Sequence, residues 1–318
     1  MNLRIGSRGS QLALWQANHI AGLLRGQGHS IEIEIIKTTG DRMQEVGFEQ
    51  VGSKGMFTKE IEEALALGRV DLAVHSLKDL LTELPEPFAL AATPVRADPR
   101  DVLVSVKHAS LAALPKGAKV GTSSQRRRAQ LKALRPDLEL QEFRGNVDTR
   151  LRKLAKGQVD AILLAGAGLD RLGKTDWVRE RLEPKDFCPA AGQGALGIET
   201  RKKDAATIEA VAFLDHGDTR FAVTAERTAL AALGGGCQVP IGIHCRREYP
   251  KDATDGGWNE IFAMVASPTT GQVIRVHLHA PLENTEAKTF GEMAAAMLLE
   301  EGAGRLLKSA EEAPGGAA

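Results

Sequence analysis

The residues with the most chemical potential lie in Gly234-Gly235-Gly236-Cys237-Gln238-Val239-Pro240-Ile241-Gly242, where three glycines run into one cysteine. Glycine takes backbone dihedrals closed to other residues and lets neighbouring groups come close, so a thiol on such a turn can be presented instead of packed. A presented thiol points to covalent chemistry. The competing reading is a glycine-rich helix stop followed by a buried, inert cysteine, because free cysteine is often buried.

Arginine is the second chemical signal. It recurs at turn and helix-start positions as Arg8, Arg126, Arg127, Arg128, Arg144, Arg150 and Arg171. A guanidinium fork pairs bidentately with carboxylate or phosphate and stays charged at physiological pH. The set implies a polyanionic ligand, although some of these side chains, Arg128 foremost, also suit a solvated helix face. Val74-His75-Ser76-Leu77-Lys78-Asp79 leaves a strand for a loop, a common place for the catalytic side chains of parallel sheets. Asp79 could stay ionised there beside Lys78 and stabilise a cation developing on a substrate, or exchange a proton with it. It could also cap a helix, with His75 a buried hydrogen-bonding residue. Lys54 and Lys59, in Ser53-Lys54-Gly55-Met56-Phe57-Thr58-Lys59-Glu60, could reach an anion from a helix start. Gly6-Ser7-Arg8-Gly9-Ser10 lacks phosphate-loop spacing and no G-x-G-x-x-G opens a dinucleotide unit, so no nucleotide cofactor is expected.

Composition narrows the ligand. The chain has 41 Lys+Arg against 41 Asp+Glu and only 4% aromatic residues, so neither a global field nor stacking platforms favour nucleic acid or an anionic membrane. Small carboxylates fit better. Cys188, Cys237 and Cys245 form an odd set without metal-type CxxC spacing, which argues against a disulfide framework and for a reducing compartment. No metal site is read. Apolar runs stay well short of the ~18 residues of a membrane span, and the N-terminus enters a strand directly, so a cytoplasmic protein with no membrane partner is expected.

The elements that must position these residues follow from periodicity. A strand at Leu3–Ile5, a helix through Leu12, Trp15, Ile20 and Leu23, a strand over Ile31, Ile33 and Ile35, a helix over Thr58–Leu67 and a strand over Val70–Val74 make a βαβαβ unit. The pattern recurs from Lys119 to Leu164, and Gly68–Val74 matches Gly157–Leu163 position for position in character. Two similar α/β lobes are expected, 1–95 plus 195–214 and 99–190, clasping a ligand between them, with a mobile loop over 40–58. Residues 215–310 read as a small α+β domain bearing the cysteine, with one long helix from Glu286 to Leu307, and 311–318 as a disordered tail.

Six motifs in order carry a resemblance. They are Arg8-Gly9-Ser10, Lys54-Gly55-Met56-Phe57-Thr58-Lys59-Glu60, His75-Ser76-Leu77-Lys78-Asp79, Gly121-Thr122-Ser123-Ser124 before Arg126-Arg127, Arg144-Gly145-Asn146-Val147-Asp148-Thr149-Arg150, and Gly236-Cys237-Gln238-Val239-Pro240-Ile241-Gly242. Together they closely resemble the porphobilinogen deaminase (hydroxymethylbilane synthase) family. The resemblance implies an α/β fold with two similar periplasmic-binding-protein-like lobes, parallel-rich sheets and a small α+β C-terminal domain.

It also implies an enzyme of tetrapyrrole biosynthesis. Such an enzyme condenses four porphobilinogen molecules head to tail with release of ammonia, on a dipyrromethane cofactor tethered to Cys237 by a thioether, and releases linear hydroxymethylbilane. By the same resemblance Asp79 is the catalytic residue. Cys237, Ser76, Lys78, Asp79, Thr122, Ser124, Arg126, Arg127, Arg144 and Gln193 would bind the cofactor, and Arg8, Ser10, Lys54, Lys59, Arg144, Arg150 and Arg171 the substrate. A monomer is expected. Ser53 where glycine is usual, Leu80-Leu81 where Val-Pro often follows the aspartate, and Gly166 depart from the commonest pattern without removing a functional group. The alternative is a non-catalytic two-lobed carboxylate-binding protein, which needs the arginines but not the cysteine.

Overall fold

The computed structural model describes residues 1–39, 58–235, 240–249, 256–267 and 269–311. They fall into two units, Met1–Ala97 with Gly194–Arg220, and Asp98–Gln193 with Phe221–Ala318. In the first unit, β1 (Asn2–Ser7) leads through a turn into α1 (Gln11–Gly26), whose start is fixed by Ser10 Oγ accepting from Ala13 N at 3.3 Å. β2 (Ser30–Ile35), α2 (Lys59–Ala66) and β3 (Leu72–Ser76) follow. β1 pairs in parallel with both β2 and β3. β4 (Phe88–Ala92) and β10 (Leu196–Arg201), to which the chain returns later, extend the sheet in antiparallel fashion to the order β2-β1-β3-β10-β4. Strand alternation sends Leu72 and Val74 of β3 toward Ala17, Ile20 and Leu24 of α1, and Ala73 toward Ile61 and Leu65 of α2. The sheet thus has a core on each face, and the carboxyl ends of β1 and β3 are left to carry polar groups.

The second unit repeats the plan. Its strands are β5 (Asp101–Ser105), β6 (Lys119–Gly121), β7 (Glu139–Gln141), β8 (Ala161–Ala165) and β9 (Val178–Arg181), in the order β7-β6-β8-β5-β9. The first three pair in parallel, and β5 pairs antiparallel with both β8 and β9, as β10 does with β3 and β4 in the other unit. The helices are α3 (Gln125–Leu134), α4 (Val147–Ala155) and α5 (Gly166–Arg171). Leu163 of β8 packs with Leu131 of α3, and Ile162 and Leu164 pack with Leu151 and Leu154 of α4.

The chain then passes through α6 (Ala205–Val211) of the first unit into α7 (Gly217–Ala232) and an antiparallel meander of β11 (Ile241–Glu248), β12 (Trp258–Ala266) and β13 (Val273–Pro281). Helices α8 (Ala287–Glu300) and α9 (Ala303–Glu311) pack with α7 on one face of it. On the other face Met264 and Ala266 pack with Ala129 of α3 and Cys188.

The single helix expected from Glu286 to Leu307 is therefore two, broken at Gly302, whose φ of 94° no ordinary helical residue adopts. Four strands, β4, β5, β9 and β10, come from segments that the sequence pattern did not mark as strands. Each pairs antiparallel at or beside the edge of its sheet, where pairing depends on partners distant in sequence.

Candidate active site

In the first unit the β1–α1 turn and the end of β3 shape one cleft, lined by Arg8, Ser10, Gln16, His75, Ser76 and Asp79 among others. Buried Gln16 of α1 reaches across and donates from Nε2 to Ser76 Oγ at 2.8 Å, which fixes the last residue of β3. The next three residues form a 3-10 turn, Leu77–Asp79. Leu77, its first residue, and Leu80, just after it, are buried, and the Leu77 amide donates to Ala195 O at 3.0 Å. Two anchors thus hold half-buried Lys78 and exposed Asp79 on the cleft rim. Asp79 ends its turn and so caps no helix start. His75, in contrast, is buried and its Nε2 lies 2.8 Å from Glu199 Oε2, a structural pairing inside the sheet. Lys59 is exposed at the first position of α2.

In the second unit the organising residue is Asp101, fully buried at the start of β5. Arg126 Nη1 donates to its Oδ2 at 2.6 Å, and Arg127 donates to its Oδ1 from Nε at 3.0 Å and Nη2 at 2.7 Å. Gln193 Nε2 also donates to Oδ1, at 3.0 Å, and to Pro99 O at 2.7 Å. Burial alone would raise the Asp101 carboxyl. The two guanidiniums reverse this and hold it well below the usual carboxylate range. Burial and the neighbouring Arg126 pull Arg127 down from its ordinary value while Asp101 opposes them. Two guanidiniums against one carboxylate leave a surplus positive charge.

The second unit also holds Thr122, Ser124, Arg144, Arg150 and Arg171. Ser124 caps α3 by accepting from Arg127 N, and buried Thr122 accepts from Ser124 N at 3.2 Å. Ser123 Oγ, between them, is buried with no hydrogen-bond partner among the described residues. Arg150 donates from Nε to Gly145 O at 2.6 Å. Burial, with the field of Arg127 adding to it, lowers Arg150 to about 10, and burial lowers Arg171, at the end of α5, also to about 10. Arg144 is largely exposed and donates from Nε to Glu142 Oε1 at 2.6 Å, an ion pair screened enough to be exchanged for another acid.

Cys237 and Lys54 lie outside the described residues, as does most of the expected loop over 40–58. The end of the cysteine motif does not. A Cβ at Gly242 would stand 2.8 Å from the Cys188 carbonyl oxygen, so only glycine allows β11 to pass there. That same carbonyl accepts from Arg126 at 2.6 Å and from Gln130 at 3.0 Å. Cys188 thus anchors the arginine cluster through its backbone, while burial pushes its thiol up to about 12. Cys245 is buried too, its amide donating to buried Glu226 at 2.7 Å. In the native chain Cys188 and Cys245 are expected to resist iodoacetamide at neutral pH for hours and to react in denaturant. Peptide mass mapping checks this, and native labelling of either would show that its burial is not maintained.

Three residues escaped the sequence reading. Asp101 is one charge in a segment that periodicity did not mark, and only its burial beside two arginines gives it a role. Ser123 lies inside Gly121-Thr122-Ser123-Ser124, whose neighbours were assigned, and Gln16 lies in the helix that follows Arg8-Gly9-Ser10; that nearness was their one available signal.

Comparison with known proteins bears on what this arrangement does. A family model described as porphobilinogen deaminase, dipyromethane cofactor binding domain, matches residues 3–209, and one described as porphobilinogen deaminase, C-terminal domain, matches residues 220–300. A porphobilinogen deaminase of Nitratidesulfovibrio vulgaris is 51% identical over 310 residues, covering 96% of each chain. One of Trichlorobacter lovleyi is 54% identical over 244 residues, covering 76% of this chain and 78% of that one. Among solved structures, a putative methionine-binding lipoprotein of Bacillus subtilis covers 68% of this chain and 90% of its own at 15% identity, with a TM-score of 0.43.

Proposed function

The chain belongs to the porphobilinogen deaminase family, and from that premise we propose how its residues divide the work of the reaction. It is a deaminating transferase of tetrapyrrole biosynthesis that acts on porphobilinogen and carries a dipyrromethane cofactor. In the proposal Cys237 Sγ holds the cofactor through a thioether, four porphobilinogen units are added, and linear hydroxymethylbilane is hydrolysed off. The protein works as a cytoplasmic monomer. Among the described residues no helix is long and apolar enough to cross a membrane.

The residues fit such a group. Each pyrrole ring of an oligopyrrole carries an acetate and a propionate, and the observation that carries the reading is the surplus of buried guanidinium around Asp101, with Arg150 in its field. Cations desolvated this far are stabilised by an incoming carboxylate. The buried Ser123 hydroxyl supplies a donor still available to one. Thr122, Ser124, Arg126, Arg127, Arg144 and Gln193, together with Ser76, Lys78 and Asp79, are assigned to the cofactor. Arg8, Ser10, Lys54, Lys59, Arg144, Arg150 and Arg171 take the acids of the substrate. When bound, the dipyrromethane supplies the free pyrrole position at which the chain is extended.

Asp79 has the central task. Positive charge builds on the porphobilinogen ring as its amino group departs as ammonia, and a fixed carboxylate on the cleft rim stabilises that charge while accepting the pyrrole N–H. A simple carboxylate binder would explain the arginines but would leave this rim carboxylate and the cysteine turn without a task.

Intact mass spectrometry of freshly purified protein tests the tether. The chain is expected to exceed its 34.0 kDa sequence mass by one dipyrromethane. The Cys237→Ser protein should lack that increment. Active protein with the bare sequence mass would overturn the assignment.

A further inference from the structure

The meander of β11, β12 and β13 carries a second cluster of ligating side chains, none of them assigned a role above. His277 and His279 lie two residues apart on β13 and so share a face, and the antiparallel register sets Glu260 of β12 opposite His279. Their donor atoms converge. Glu260 Oε1 is 2.8 Å from His277 Nε2 and 3.7 Å from His279 Nε2, and the three donor atoms all lie within 4.8 Å of one another. We propose that Glu260, His277 and His279 form a binding site for a divalent transition-metal ion, zinc foremost.

The geometry suits the ion. Tetrahedral zinc with bonds of about 2.0–2.1 Å keeps neighbouring ligand atoms roughly 3.3 Å apart, between the two separations observed, so small side-chain rotations complete the site. Both rings are already held. His277 stacks on Phe262 with centroids 4.2 Å apart, and His279 meets the edge of Trp258 at 6.2 Å. The Glu260 carboxylate is 7% exposed, and its second oxygen accepts from Arg246 Nε at 2.5 Å. That bond orients the carboxylate and leaves Oε1 for the ion, as outer partners of metal ligands do elsewhere. The imidazoles are 46% and 50% exposed, so an ion can enter and a water can fill the fourth position.

Two imidazoles and one carboxylate favour zinc, copper or nickel over magnesium or calcium, which prefer all-oxygen shells. On binding, Nε2 of each imidazole must turn its lone pair to the metal, so a proton carried there moves to Nδ1 or to solvent. The guanidinium of Arg246 weakens the attraction for a cation without occupying Oε1.

The test is calorimetric titration of the full chain, stripped with EDTA, with zinc chloride, and with cobalt chloride followed by visible absorption. One equivalent of zinc is expected, with cobalt giving the intense bands of a tetrahedral site. Zinc affinity should fall at least tenfold in Glu260→Ala and vanish at this site in the His277→Ala/His279→Ala double variant, with unchanged circular dichroism. Cys237→Ser should retain it, which separates this site from thiol binding. As a check independent of folding defects, His279→Ala alone, a half-exposed position, should melt like the parent without metal and lose the zinc-induced rise in Tm. Failure of the parent chain to bind zinc, or undiminished binding by the double variant, would overturn the proposal.

Discussion

Asp79→Asn is expected to lower kcat by about 10²- to 10³-fold with circular dichroism and Tm close to the parent, the size of loss seen when one preorganised electrostatic partner of a transition state is removed. Asparagine keeps the shape and a hydrogen-bond acceptor but not the charge, so the loss isolates the charge. The residue is exposed at the end of a 3-10 turn whose anchors are Leu77 and Leu80, so the fold depends on it little. The measurement is steady-state consumption of porphobilinogen, with porphyrin colour read after acid and oxidation. A larger effect on kcat than on KM is expected, because the charge is needed most as ammonia departs. An unchanged rate would remove Asp79 from the mechanism.

Asp101→Ala should have the largest effect on stability. Removing the carboxylate leaves two buried guanidiniums without their counterion and takes one of two acceptors from the Gln193 amide, and breaking a buried charge cluster from one side typically costs about 3–5 kcal/mol. For a unit of this size that corresponds to a fall in Tm on the order of 10 °C. Asp101→Asn should lie between, since it keeps acceptors and loses charge. The sign of the pH dependence also follows. A carboxyl depressed in the folded chain contributes stability that is complete above its unfolded pKa of about 3.9. That contribution is lost only as pH falls from there toward its lower folded value. Acid melts of the parent and Asp101→Asn should therefore converge below pH ~4. Parallel curves across the acid range would show that Asp101 is not the ionised partner.

Much of the architecture was legible from periodicity because β3 and β8 are short apolar runs and β1 and β2 alternate apolar with polar residues, all local patterns. The antiparallel strands β4, β5, β9 and β10 were not; Val178-Arg179-Glu180-Arg181, for one, has no apolar run and becomes a strand only through β5. The site divides in the same way. Ser10 and Ser124 stand directly before helices, so their positions could be read, and both cap as local rules require. Arg126 and Arg127 were read as open cations, yet each is already engaged by Asp101 from 25 and 26 residues away. Spacing along the chain carries no signal for such a counterion. The cluster of Glu260, His277 and His279 is a further case, since strand register alone brings Glu260 to the two histidines.

The unequal accessibility of sulfur has a practical side. With Cys188 and Cys245 withdrawn into apolar packing, the native chain offers external reagents at most a single titratable sulfur. Attachment of the primer would silence that one as well, so the count of reactive thiols per molecule, zero or one, becomes a direct gauge of how much of a population is primed for turnover.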